Sequence, residues 1–232
     1  MYLFLRKPEQ GATTKKIKFP LAGTYHTHQT MNLFFLDVDP QKSAEYHCDK
    51  HVVKMILELT QMLYTAHHLN GTPDQSYLDK YGYRAISNPK HPTSVWVRVS
   101  LENYKYTAKI GLLLSKEYTY RYNRVHSCES HLVWLEKMLP VSFPYIHKFN
   151  NVQEHFIYYQ GSKNPVVLSY TPGLELLGLT PIPLAMPDKY KLDNDTIKSY
   201  RCYYVNDKKP FAKWTKRPVP DWFYFSTIEK YF

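Results

Sequence analysis

The chain has 232 residues, 44% of them hydrophobic, enough for one sizeable core and too much for wholesale disorder. Its 30 Lys and Arg stand against 20 Asp and Glu, a formal charge of +10 that favours a polyanionic partner and makes nucleic acid the leading class. Three cysteines argue against a disulfide framework and for a reducing, intracellular compartment, and no apolar run approaches the roughly 20 residues of a membrane span.

In chain order, residues 1–30 carry basic residues without an amphipathic period and read as an extension ahead of a single domain at 31–232. NLFFLDVD, closed by Pro40, predicts a strand or extended segment. A long helical pattern then runs to about Leu69, with Cys48, Val52, Ile56, Leu59 and Leu63 forming one apolar stripe. Residues 71–91 predict a turn-rich connection.

Pro92 suits the first turn of a second long helix reaching about Tyr122, with Trp96, Val99, Ile110 and Leu113 as core candidates. A third helix follows Ser127 and stops before Pro140. The proline-rich stretch 140–190 predicts loop with one extended piece at PVVLSY. Its apolar part, Pro181 to Tyr190, should pack on the core or wall a pocket. Asp193 or Asp195 can cap a fourth helix through about Val205, and a basic, aromatic tail follows. The expected fold is mainly α, a helical domain with a few short strands and a proline-rich loop region.

The first long helix carries the most chemistry. His47, His51, Lys54 and Glu58 follow at spacings of four, three and four, with Lys50 beside them, so they share one strip. Two ammonium groups one turn apart disfavour each other's charge, which would make Lys54 or Lys50 a nucleophile, with Glu58 as proton acceptor or cation stabiliser. Ordinary helical ion pairs are the competing account. His47 and His51 also have a metal-ligand spacing, and Cys48, His126, Cys128 and His131 are further donors. Without a CxxC, packed or hydrogen-bonded histidines are the better reading, and no metal is expected.

The 37 aromatic residues (22 Tyr, 11 Phe and 4 Trp), many set beside Lys or Arg, suit either base stacking or a tyrosine-rich core. Candidate substrate contacts are His91, Trp96, Arg98, Asn103 and Tyr104 on the second helix, Arg121 near its end, Asp188 and Tyr190 after the prolines, and Arg201 and Trp214 toward the tail. Trp96 has a core reading and Arg121 an ion pair with Glu117 as their alternatives. No Walker loop, GxGxxG, GxSxG or HExxH occurs, and no cofactor is expected.

The segments MNLFFLDVDPQKSAEYHCDKHVVKMILELTQMLYTAHH, HPTSVWVRVSLENY, EYTYRYNRVHSCE, PLAMPDKY, SYRCYYV and KWTKRPVPDWF resemble a group of phage and large-DNA-virus proteins commonly labelled pyrimidine-dimer DNA glycosylases, over residues 31–225. Related viral proteins act on hypermodified thymines. The resemblance implies DNA as partner, host cytoplasm as location, and attack at the sugar C1′ with base loss, with or without strand cleavage through an imine. Matched residue by residue, DKHVVKM offers Lys50 and Lys54 as amines and ILE offers Glu58. Enzymes of the label's type can use an N-terminal amine, but Met1 lies thirty residues before the motif start; if translation begins at Met1, a lysine or water must replace that amine. A thymine-modifying transferase or pyrophosphorylase-like enzyme and a non-enzymatic nucleic-acid-binding protein are the alternatives.

Overall fold

The computed structural model describes residues 32–86, 88–144, 159, 166–192 and 194–224. The expected extension at 1–30 and the candidate cap Asp193 lie outside them. Within them the protein is mainly α, with eight α-helices and one two-stranded sheet.

The expected first helix is two helices. Asp39 accepts the Gln41 N–H and Pro40 takes the first position of α1 (Pro40–Tyr46). The backbone then turns extended at His47 and Cys48, and α2 runs from Asp49 to Asn70. The break has a tertiary cause. His47 Nδ1–H donates to the Ser43 carbonyl, and the Cys48 N–H leaves the helical ladder for the Tyr204 hydroxyl, 2.9 Å away. The expected second helix is likewise broken at Ser100, whose extended backbone ends α4 (Pro92–Val99) and whose hydroxyl accepts the Asn103 N–H to start α5 (Leu101–Tyr122). Asn123, left-handed at φ 53°, closes α5.

The connection at 71–91 holds a helix that turn residues concealed: Asp74 caps α3 (Gln75–Tyr81). The third expected helix is α6 (Glu129–Lys137). In the proline-rich region β1 (Leu168–Ser169) pairs antiparallel with β2 (Ile182–Pro183), matching Leu168 to Pro183 and Ser169 to Ile182. Asp195 caps α7 (Thr196–Tyr203) through the Lys198 N–H, and the helix widens into a π-helical turn over Tyr204–Lys208. The tail forms α8 (Asp221–Tyr224).

Helix α2 lies at the centre, packed against α4, α5 and α6, while α5 also meets α1. The whole stripe Cys48, Val52, Ile56, Leu59 and Leu63 is fully buried. On α5 the core position is Leu114; Leu113 is only partly covered. NLFF and Leu36 are buried and extended but belong to no sheet. Side chains satisfy their backbone instead: Ser43 Oγ accepts the Leu36 N–H, and the Leu36 carbonyl accepts from Arg201 Nε. The proline-rich run packs onto the core, with Ile182 and Leu184 buried.

Candidate active site

The strip on α2 assembles, but not on an open face. Segment 32–36 and the π-helical turn cover it, so His47, His51 and Glu58 are buried, and the helix opens to solvent at Lys50, Val53, Lys54 and Leu57. Lys54 Nζ lies 2.9 Å from Glu58 Oε1; the lysine side chain is 44% exposed and the carboxylate 7%. Glu58 Oε2 also accepts the Asn32 N–H at 3.4 Å. Burial raises the Glu58 pKa above the ordinary carboxylate value, against the opposing pull of Lys54. A half-exposed amine therefore touches a sheltered carboxylate with an increased appetite for a proton.

His51 stands one turn before Lys54. Its ring stacks on Phe34 at 4.6 Å and meets the edges of Phe211 and Tyr204, and its Nδ1 lies 2.8 Å from the Tyr204 hydroxyl. Burial lowers its pKa well below the usual histidine value, and His47, Lys208 and Lys54 press in the same direction. The ring is neutral at physiological pH. His47 is sealed completely, and burial lowers it to about 4.

Four residues outside the sequence-based candidates, Tyr204, Lys208, Phe34 and Tyr203, complete this region. Tyr204 anchors the histidine from the π-helical turn, a helix type concentrated at functional sites. Lys208 ends the same turn, donates to the Tyr203 hydroxyl at 2.9 Å and sits over that ring. Phe34 and Tyr203 stack at 6.1 Å, and Tyr190 lies 5.1 Å beyond Tyr203, giving an aromatic wall. The tyrosine run SYRCYY with a lysine four residues after Tyr204 was the available signal. A π-helical turn has no comparable mark in sequence.

Lys50 reaches over the Phe211 ring at 4.8 Å, so Lys50, Lys54 and Lys208 bring three cations to one region. The remaining candidates are spent on the protein itself. Asn103 donates to the Trp96 carbonyl and Thr180 Oγ1 and accepts the Thr180 N–H, a complete internal clasp. Trp96 is fully buried with its indole N–H on the Thr180 carbonyl, and buried Tyr104 bonds to Leu135 and His67. His91 caps α4, and Arg98 folds back on Ser94. Arg121 is sealed among Glu117, Asp49 and the Glu45 carbonyl. Arg201 holds Asp37 and the Leu36 carbonyl, while Trp214 bonds to the Tyr46 carbonyl. Asp188 is 93% exposed and pairs with Lys191, away from the strip's hydrogen bonds. Of these ten, Tyr190 alone joins the aromatic wall.

Among the described residues no three His, Cys, Asp or Glu side chains are grouped to hold a metal ion, and no helix is long and apolar enough to cross a membrane. Comparison with protein-family models, with curated proteins and with solved structures finds no match to this chain.

Proposed function

We propose that this protein is a DNA N-glycosylase whose chemistry centres on Lys54 and Glu58. The observation that carries the reading is their contact: a nucleophile-capable amine at the solvent boundary, 2.9 Å from a buried carboxylate whose pKa is raised. Such a carboxylate takes the ammonium proton. The freed amine attacks C1′ of an extruded nucleotide, and the base leaves with the electrons of the C1′–N bond. The departing base takes one of the two protons left on the nitrogen, and opening of the sugar ring, with the proton held by Glu58 passing to O4′, leaves a protonated imine between Lys54 and C1′. Lys50 and Lys208 supply phosphate contacts, and the buried Phe34, Tyr203 and Tyr190 rings form the apolar backing behind the strip.

Incubation with UV-irradiated and thymine-modified DNA, in single and double strands, tests the reading. Base release is expected from the parent, and borohydride should trap a covalent adduct that disappears in Lys54→Ala. Glu58→Gln should abolish release. Release without any adduct would transfer the nucleophilic role from Lys54 to water while keeping Glu58. A gain of mass in a DNA base would replace the glycosylase reading with a modifying transferase, and binding with no chemistry would reduce the protein to an accessory role.

A further inference from the structure

We infer that His51 is a fixed, neutral hydrogen-bond donor whose Nε2–H reads a carbonyl oxygen of a pyrimidine, with Tyr204 as the positioning residue that sets its tautomer; the choice of ligand rests on the DNA reading above. The Tyr204 hydroxyl is fully buried and accepts the Cys48 N–H at 2.9 Å. It retains one proton, which must find an acceptor in a dry interior. His51 Nδ1 lies 2.8 Å away, and the neighbouring Cys48 thiol is a far weaker acceptor than an imidazole nitrogen. Tyr204 therefore donates to Nδ1. The opposite arrangement would leave the phenolic proton buried without a good partner. With Nδ1 as acceptor in a neutral ring, the imidazole proton is on Nε2.

That N–H is held in place and unused. Phe34 stacks on the ring at an interplanar angle of 27°, while Tyr204 and Phe211 bracket it edge-on at 82° and 62°. Nε2 has no hydrogen-bond partner among the described residues. His47 Nε2 is also unpartnered but is enclosed, whereas His51 Nε2 is not among the enclosed atoms. The cations that face His51 are Lys54 from α2 and Lys208 from the π-helical turn, with His47 behind it. A further positive charge there is disfavoured, so the ring offers a donor without becoming a cation. An anionic oxygen would be drawn to the two ammonium groups, which already pair with carboxylates, Lys54 with Glu58 at 2.9 Å and Lys208 with Asp207 at 2.7 Å. A neutral acceptor beside aromatic walls is what remains for the imidazole, and a nucleobase carbonyl has that chemistry.

The experiment uses the full chain with ¹⁵N-labelled histidine and long-range ¹H–¹⁵N correlation at neutral pH. The expected pattern for His51 is a pyridine-type Nδ1 and a pyrrole-type Nε2. In Tyr204→Phe, provided the variant's spectrum remains folded, the tautomers should mix; the parent spectrum decides the assignment without the variant. A pyrrole-type Nδ1 in the parent overturns the tautomer and with it the proposal. Adding thymidine 5′-monophosphate should shift the Nε2–H resonance downfield, and deoxyribose 5-phosphate should not. An equal shift with the sugar phosphate assigns the acceptor to phosphate and overturns base reading, as does the absence of a shift with the nucleotide. Because these readouts need no turnover, an inactive protein with the expected spectra would refute the glycosylase reading and leave this inference standing.

Discussion

Two charged clusters flank α2, and they end differently. At its N-terminus Arg121 is entirely buried between Glu117 at 2.7 Å and Asp49 at 2.9 Å, Arg217 grips Glu117 with two hydrogen bonds, and Glu45 joins from α1. Every charge there has an opposite charge from the same chain. On the strip, Lys54 and Glu58 form one pair, and among the described residues Lys50 lies only over an aromatic ring and His51 Nε2 has no partner. Both clusters pay for desolvation. Only the strip leaves valences open, and this incompleteness separates a candidate site from a structural clamp.

The clamp should break hardest. Glu117→Ala leaves the buried Arg121 and its neighbour Arg217 facing each other without the carboxylate between them, and should cost about 3–5 kcal/mol in urea unfolding. A loss below about 1 kcal/mol would make the clamp as dispensable as a surface pair. His47, which feels Arg121 on one side and His51 on the other, sharpens the comparison through pH. Its pKa falls from 6.5 to about 4 on folding, so the unfolded chain binds the proton first. Its contribution is complete above about pH 6.5 and is lost as pH falls toward 4, about 3 kcal/mol in all, and His47→Gln should flatten that part of the stability profile.

Lys54→Ala should change stability by no more than about 1 kcal/mol, because the removed side chain is half exposed and empties no core site. A larger loss in chemical denaturation would move the strip into the same class as the clamp. The smallest effect belongs to Lys208→Ala. It should weaken DNA binding a few-fold and lower the slope of log affinity against log salt by about 0.9 if one phosphate contact is lost. An unchanged slope would remove Lys208 from the interface.

The helical periods were legible because burial of Cys48 through Leu63 on one side of α2 repeats at steps that local geometry dictates. The breaks at Cys48 and Ser100 were not. Cys48 leaves the ladder for a tyrosine 156 positions away, a bond with no local trace. The strip was legible as spacing, since Lys54 and Glu58 are one turn apart, but its covering was not. His51 and Glu58 look solvent-facing until segment 32–36 and the π-helical turn close over them. The residues taken for base readers failed to reach the strip for one reason. An Asn, Trp or Tyr hydrogen-bonding edge serves a distant polar group of the chain as well as a ligand, as Asn103 shows with the hydroxyl and N–H of Thr180 at a separation of 77 residues.

The tail's attachment has a kinetic consequence. Asp49 accepts from Thr215, and Trp214 donates to the Tyr46 carbonyl, contacts that span 166 and 168 residues, while Tyr204 reaches back 153 to His51. These closures join nearly opposite ends of the folded region, and loop-closure entropy must be met before such distant contacts reward it. A nascent chain can form α2 early, but Tyr204, whose hydroxyl meets His51, emerges from the ribosome 153 residues after it. Until then Phe34 and the His51 ring lack their cover, so the unfinished chain presents apolar surface where the finished one presents the candidate site. The stretch from α7 to the tail thus follows every other described element in synthesis and is the one without which the histidine has no fixed tautomer.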